Sequence, residues 1–97
     1  MYELTGFQRD MLYCVATLDE PSGVEIRREL EEYSPVEVNH GRLYPNLDDL
    51  VEQGLIKKEK KDDRTNLYGL TPLGRELIEE RRQWEDDKLQ ETEIDLS

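Results

Sequence analysis

"HGRLYPNLDDLVEQGLI" (residues 40–56) is the stretch that decides the fold. Its leucines recur at helical spacing together with Val51, which predicts a helix with one buried side. Asn39 is a good N-cap for this helix, and Gly54 is a typical residue to end it. Pro45 lies just past the first turn, where its missing amide is expected to bend or loosen the helix start without destroying it.

Two more helices are predicted before this stretch, and each opens with a capping box. Thr5 with Gln8 begins the first helix, and Ser22 with Glu25 begins the second. The first is expected to end in "DEPSG" and the second before Pro35, because proline and glycine interrupt helices. The predicted apolar stripe of the second helix is Ile26, Leu30 and Tyr33.

After residue 54 the hydrophobic period changes, which predicts a hairpin of strands 55–60 and 66–70 around the polar turn "KDDRT". Thr71 then caps a fourth helix with Pro72 at its first position, running to about residue 89. This order is mainly α with a small β-hairpin, the plan of a winged helix-turn-helix. We expect the winged domain in residues 1–70, a C-terminal helix in 71–90 and a frayed tail in 91–97.

The length of 97 residues is typical of one domain with a modest core, for which oligomerisation is a common remedy. The sequence has no run of about 18 apolar residues and no signal-peptide pattern, so a cytoplasmic protein is expected. Cys14 and His40 are the only residues of their types, which excludes an internal disulfide. A metal site would have to be all-carboxylate, and no such loop is present, so neither metal nor cofactor is predicted.

The chain is strongly acidic, with a net charge of -11 and a pI of about 4.5. Three interpretations fit this charge: an ordinary acidic protein, a disordered chain, or an adaptation to a salt-rich cytoplasm. The periodic apolar residues argue against disorder. Because the acidic residues are spread along the whole chain rather than confined to a tail, the salt-rich interpretation is favoured.

The third helix is a candidate DNA-recognition helix. Asp48 and Asp49 in its second half would repel phosphates, so they are expected to face away from DNA or to limit indiscriminate binding. A groove would instead receive the N-terminal end, where free N–H groups and the helix dipole favour phosphate. Helical spacing puts Arg42 and Asn46 with Asp49 on one flank, and Tyr44 on the other. The predicted recognition residues are Asn39, His40, Gly41, Arg42, Tyr44, Pro45 and Asn46.

Positive charge is concentrated in the hairpin, directly after this helix, in a chain with 13 Lys and Arg in all. Such a composition suits contact with phosphates or with the minor groove. The alternative is a solvated, charged edge that protects the hairpin from aggregation. The predicted wing contacts are Lys57, Lys58, Lys60, Lys61, Arg64, Thr65 and Asn66.

"GRLYPNLDDLVEQGLI" and "YGLTPLGREL" together resemble the PadR-like winged-helix transcriptional regulators over roughly residues 4–82. The Tyr-Pro pair inside the recognition helix is fairly specific, whereas Gly-Leu-Ile and Leu-Thr-x-x-Gly are shared with other winged-helix regulators. The residues that match the family pattern are Gly41, Leu43, Tyr44, Pro45, Leu47, Leu50, Gly54, Leu55, Ile56, Tyr68, Leu70, Thr71 and Gly74.

The resemblance implies a dimeric regulator, often a repressor, that binds double-stranded DNA. It also implies that the helix after the wing packs with the first helix to form the dimer, and it allows a small-molecule effector that nothing here identifies. Trp84 lies on the lone C-terminal helix, seven residues after Leu77. Independently of the resemblance, its large apolar side chain is expected to pack against a partner surface, either its own domain or a second copy. We expect a second copy. The predicted dimer residues are Phe7, Met11, Tyr13, Leu73, Leu77, Ile78, Arg81 and Trp84.

Two other classes of function make different demands on the sequence. A winged-helix protein-interaction module, or a DNA mimic, would have no need of Arg42 and the wing lysines. An enzyme would need a nucleophile with a base, or paired carboxylates in a pocket. Cys14 is expected in the core, which also weakens a redox role, and His40 is expected to bind DNA or to cap a helix. No glycine-rich phosphate loop is present, so no enzyme is predicted.

The negative net charge of the chain makes DNA binding in concentrated salt difficult to explain. If about six phosphates are neutralised, a tenfold rise in salt costs about 10⁵ in affinity. At molar salt the Debye length is about 3 Å, so long-range attraction is nearly lost. Our hypothesis is that binding in a salt-rich cell depends on close hydrogen bonds and on cations held between carboxylates and phosphates.

Overall fold

Three helices precede a two-stranded hairpin and a fourth helix follows it, within residues 3–34 and 36–91, which the computed structural model describes. The elements are α1 (Gly6–Thr17), α2 (Gly23–Tyr33), α3 (His40–Glu52), β1 (Ile56–Lys60), β2 (Asn66–Leu70) and α4 (Pro72–Gln90). This order confirms the winged helix-turn-helix predicted from the sequence. Residues 92–97 of the predicted tail lie outside the described residues.

Side-chain caps begin the helices as predicted. The Thr5 hydroxyl accepts the N–H of Gln8 at 3.1 Å, and the Gln8 side chain accepts the N–H of Thr5 at 3.2 Å. The same reciprocal pair joins Ser22 and Glu25 at the start of α2. Each cap satisfies backbone donors that the first helical turn leaves without partners. Gly54 lies two residues after the end of α3 and has a φ of 79°, a left-handed conformation that favours glycine.

One predicted apolar position of α2 is wrong. Ile26 and Leu30 are buried, but Tyr33 is 82% exposed. Tyr33 is the last residue of α2, where the helix extends past the core. Helical spacing put it on the correct face, but spacing does not say how far the packing partner reaches along that face.

The hairpin is antiparallel, with a register that runs from Ile56 opposite Leu70 to Lys60 opposite Asn66. On the other edge of β2, Ser22 forms a bridge with Leu67, and the Pro21 carbonyl accepts the Tyr68 N–H at 2.8 Å. The start of α2 is therefore fastened to the hairpin. No spacing in the sequence indicates this attachment.

The base of α4 packs closely against the end of α3 and the start of the hairpin. The Thr71 hydroxyl lies 2.7 Å from the Gly54 carbonyl oxygen and 3.0 Å from that of Leu55. A Cβ on Gly74 would collide with the Leu55 carbonyl oxygen, so this approach requires glycine. The hairpin and α4 are thus held in a fixed relation to α3.

The buried core is formed by α1, α2, α3 and the hairpin, together with the loops that join them. Its apolar members are Met11, Leu12, Cys14, Val15, Ile26, Leu30, Val38, Leu43, Leu47, Leu50, Leu55, Ile56 and Tyr68. By contrast, residues 82–91 at the outer end of α4 are all exposed. No helix in the described part of the chain is long and apolar enough to cross a membrane.

Candidate nucleic-acid interface

The N-terminal end of α3 presents several exposed side chains. Asn39 caps it by accepting the Arg42 N–H at 2.9 Å. His40, Gly41, Arg42 and Pro45 are exposed, and the His40 ring meets Tyr44 edge-on at 5.4 Å between centroids. The helix stays continuous through Pro45, although the ring removes the backbone donor that would reach Gly41.

One flank of α3 is occupied by α1. The Arg42 guanidinium lies over the Phe7 ring, 3.9 Å from its centroid. Gln8, only 6% exposed, donates its side-chain amide to Asn46 Oδ1 at 3.0 Å and to Asp49 Oδ2 at 2.7 Å. This buried amide therefore ties the start of α1 to the middle of α3.

Asn46 is consequently engaged within the protein. Its carboxamide accepts from Gln8 and donates to the Arg42 carbonyl at 2.7 Å, so much of its hydrogen-bonding capacity is already used. The capping box in the sequence indicates one role of Gln8 but not this second one. The only available signal was a polar side chain in a helix whose neighbours, such as Met11, are buried.

The other flank of α3 faces the wing. The Tyr44 ring packs on Gly23, where an added Cβ would lie 2.7 Å from the ring. Tyr44 also lines a cleft of about 190 Å³ with Arg64 and Thr65 of the wing. Ser22, Val24, Asn66 and Tyr68 complete the lining with Gly23. The start of α2, the recognition helix and the wing thus meet at one place.

Three wing lysines are paired with carboxylates. The pairs are Lys57–Glu59 at 3.4 Å, Lys58–Asp48 at 3.6 Å and Lys60–Asp63 at 3.5 Å. Within the described residues, Lys61 and Arg64 form no ion pair closer than 4.0 Å. The predicted basic wing is therefore divided into paired and unpaired cations, a division that the sequence did not reveal.

The tip of the wing is shaped by Asp62. Its carboxylate accepts the Arg64 N–H at 2.9 Å, and this backbone hydrogen bond holds the pKa of Asp62 below its usual value. The Lys61 N–H donates to the Thr65 carbonyl at 2.8 Å, which closes the turn. Arg64 and Lys61 are thus held at the tip by backbone contacts while their side chains stay exposed.

A groove between α1 and α4 contains several predicted dimer residues. It encloses about 290 Å³, and Trp84 at its edge is 49% exposed with the Arg81 guanidinium 4.4 Å from its ring centroid. Partial burial and, to a smaller extent, the nearby Glu85 carboxylate raise the pKa of Tyr13 in this groove. The apolar and aromatic lining consists of Leu4, Leu12, Tyr13, Leu77, Ile78 and Trp84.

The other predicted dimer residues lie outside this groove, and the prediction for Met11 is wrong. Met11 is 0% exposed in the core, so it has no surface to offer a partner. Phe7 packs under Arg42 on the α3 side of α1, and Leu73 packs on the core at the base of α4. The prediction failed for Met11 because an apolar helical face does not show which of its residues the rest of the core already covers.

Cys14 lies in the core, as predicted. Burial, with smaller contributions from Glu29 and Asp10, raises the pKa of the Cys14 thiol to about 11. The thiol is therefore protonated at neutral pH, and a protonated, buried thiol is a poor nucleophile and a poor redox sensor.

Comparisons with known proteins agree with this architecture. Residues 11–80 match the family model described as the transcriptional regulator PadR-like family. The structure of H. salinarum RosR is 48% identical, with a TM-score of 0.84 over 89% of this chain and 77% of that one. A PadR family transcription regulator from Clostridium difficile is 21% identical, with a TM-score of 0.70 over 86% of this chain and 92% of that one.

The fold also extends to a more distant regulator. Streptococcus pneumoniae FabT, solved in complex with DNA, is 15% identical, with a TM-score of 0.71 over 92% of this chain and 59% of that one. At this identity the likeness concerns the fold alone. Among curated protein sequences, none matches this chain significantly.

Proposed function

The chain belongs to the PadR-like transcriptional regulator family, and on that premise we propose that it binds a two-fold symmetric DNA site as a homodimer and represses transcription there. Family membership makes it a DNA-binding transcription regulator and not an enzyme. The site symmetry, the homodimer, the repressing role and the part played by each residue are the proposal. It includes residues 1–70 as the DNA-binding domain and residues 71–90 as the dimerisation helix.

The observation that carries the proposal is the meeting of α3 and the wing around one cleft. Tyr44 of the recognition helix and Arg64 and Thr65 of the wing line it together. A duplex that receives the N-terminal end of α3 in its major groove would bring its backbone against the wing. The exposed His40 and Arg42 then face the groove, and the unpaired cations of the wing face phosphates.

The groove between α1 and α4 supports the homodimer. It is lined by apolar and aromatic side chains, and Trp84 remains half exposed at its edge. In a two-fold dimer the same groove on each copy receives residues of the other, so Trp84 of one protomer covers the groove of its partner. Tyr13, Leu77 and Ile78 are the proposed contacts beneath it.

Selection from a pool of random duplexes tests the DNA-binding part, at salt concentrations from about 0.1 M to above 2 M. We expect enrichment of a two-fold symmetric site. Arg42→Ala and the double variant Lys61→Ala/Arg64→Ala should abolish it. Arg75→Ala/Arg82→Ala removes the same charge from exposed positions of α4 and should leave enrichment intact. Absence of enrichment at every salt concentration would favour the protein-interaction module instead.

The dimer is tested by light scattering. Trp84→Glu should convert a dimer of about twice the 11.5 kDa chain mass into a monomer and remove the symmetric site. Val36→Glu replaces another exposed apolar side chain with the same charge, outside α1 and α4, and should leave the dimer unchanged. A wild-type protein that is monomeric both free and on DNA would overturn this part of the proposal.

A further inference from the structure

The wing lysines and their carboxylate partners form a feature that DNA binding alone does not explain. Asp48 reaches Lys58 from the recognition helix, whereas Glu59 and Asp63 belong to the wing itself. All three carboxylates are well exposed, with side-chain exposures of 63%, 59% and 100%. A phosphate that approaches these lysines therefore meets acidic side chains that already hold them.

We propose that Asp48, Glu59 and Asp63 are internal competitors of DNA phosphates for the wing lysines and thereby set the affinity and salt dependence of binding. This inference rests on the proposed DNA-binding function. Each lysine must leave its carboxylate before it pairs with a phosphate, so binding exchanges one ion pair for another. Lys61 and Arg64 form no ion pair within 4.0 Å among the described residues, so they do not have to leave a carboxylate before they meet phosphates.

The exchange weakens the response to salt. Added salt screens the internal pairs as well as the pairs with phosphate, because both are exposed. A lysine that is free before binding adds up to about 0.9 to the slope of log affinity against log salt, and a lysine held by a carboxylate adds less. An acidic partner for each lysine therefore lowers affinity in dilute salt while preserving more of it in concentrated salt.

The expected effect is moderate, because exposed ion pairs are individually weak. Neutralising one pair should change affinity by about 1.5- to 5-fold. The triple variant Asp48→Asn/Glu59→Gln/Asp63→Asn should bind roughly tenfold more tightly per protomer at about 0.1 M salt and converge with the wild type above about 1 M. Its salt slope should be steeper by up to about 0.9 per released lysine.

The experiment measures the affinity of both proteins for a fluorescein-labelled random-sequence duplex by anisotropy, between about 0.1 M and 2 M salt. Asp19→Asn/Glu20→Gln/Glu32→Gln is the matched control, since it removes the same charge from exposed positions outside α3, the wing and α4. The control should change affinity by less than twofold and keep the wild-type slope. Equal gains in both triple variants would overturn the inference, because net charge alone would then explain them.

A second measurement isolates one pair. If Asp48 competes for Lys58, Lys58→Ala should cost about 1.5- to 5-fold more affinity in the Asp48→Asn background than in the wild type. Lys61→Ala should cost the same in both backgrounds, since Lys61 is not held by Asp48. Equal penalties for Lys58→Ala in both backgrounds would overturn the exchange at this position.

The outcomes separate the inference from the function on which it rests. If the wild type binds DNA and the neutralised variant keeps its affinity and slope, the inference fails and the proposed function stands. If the neutralised variant binds more weakly in concentrated salt, the carboxylates hold cations against phosphates, which also overturns the inference. If no duplex binds the wild type at any salt concentration, the proposed function fails and takes the inference with it.

Discussion

The two flanks of α3 differ in what holds them. On the α1 side, Asn46 and Asp49 accept hydrogen bonds from the buried amide of Gln8. On the wing side, Tyr44 lies in a cleft and Asp48 forms an exposed ion pair with a lysine. The first flank therefore orients the recognition helix, whereas the second can exchange its partners for those of DNA. A polar residue at the right place on a recognition helix is not necessarily free to read bases.

The largest predicted effect breaks the α1 flank. Gln8→Glu places a second carboxylate beside Asp49 and removes the amide donors, which should lower the free energy of unfolding by about 3–5 kcal/mol at neutral pH. The lost stability should return as pH falls, because protonation of the introduced carboxyl removes the repulsion. Denaturant unfolding between neutral and acidic pH measures this.

Gln8→Met is the control for that prediction. It removes the two donated hydrogen bonds without adding charge, and it also removes the capping bond that the Gln8 side chain accepts from the Thr5 N–H. It should cost about 1–3 kcal/mol, with no recovery in acid beyond that of the wild type. If Gln8→Glu and Gln8→Met lose the same stability at every pH, the contact between this side chain and Asp49 does not orient α3 as we describe.

The second prediction concerns the wing flank. Gly23→Ala would push a methyl group into the end of the Tyr44 ring, which must move aside, and should lower the free energy of unfolding by about 1 kcal/mol. It should also weaken DNA binding, because Tyr44 would shift away from the wing. Gly6→Ala is the matched control, since nothing lies within 4 Å of its added methyl group. A Gly23→Ala protein as stable as Gly6→Ala would contradict the packing of Tyr44.

The smallest predicted effect on stability separates packing from DNA contact. Arg42→Ala loses the stacking on Phe7, an exposed interaction that should be worth less than about 1 kcal/mol. Phe7→Leu removes the same stacking and keeps the guanidinium. We expect thermal unfolding of both variants to shift little, and only Arg42→Ala to lose DNA affinity strongly. Comparable losses of affinity would mean that Arg42 acts through packing on α1.

Local rules explain why most of the fold could be predicted. The capping residues Thr5, Ser22 and Asn39 act on backbone donors within three residues of themselves, so short stretches are sufficient to place the helix starts. Gly54 likewise ends a helix by its own conformation. The change of hydrophobic period that predicted the hairpin is also local.

The remaining features depend on partners that are distant in sequence. Gln8 and Asp49 are 41 residues apart, and no spacing rule connects them. The pairing of Lys58 with Asp48 depends on the angle at which the hairpin leaves α3. Met11 was assigned to the dimer because periodicity finds an apolar face but cannot say which neighbour covers it. The sequence therefore predicts which residues form the candidate site, but not which of their side chains are already bound to partners within the protein.

Hydroxyl-radical footprinting on the duplex enriched from the random pool tests the central claim most directly. For a homodimer on a two-fold symmetric site, we predict two protected patches of the DNA backbone at saturating protein. They should be related by two-fold symmetry and lie about one helical turn, or 10 bp, apart. Each patch corresponds to one protomer, with α3 and the wing on the same half-site. A single patch at saturating protein, or no protection at all, would contradict a dimer that binds DNA through these elements.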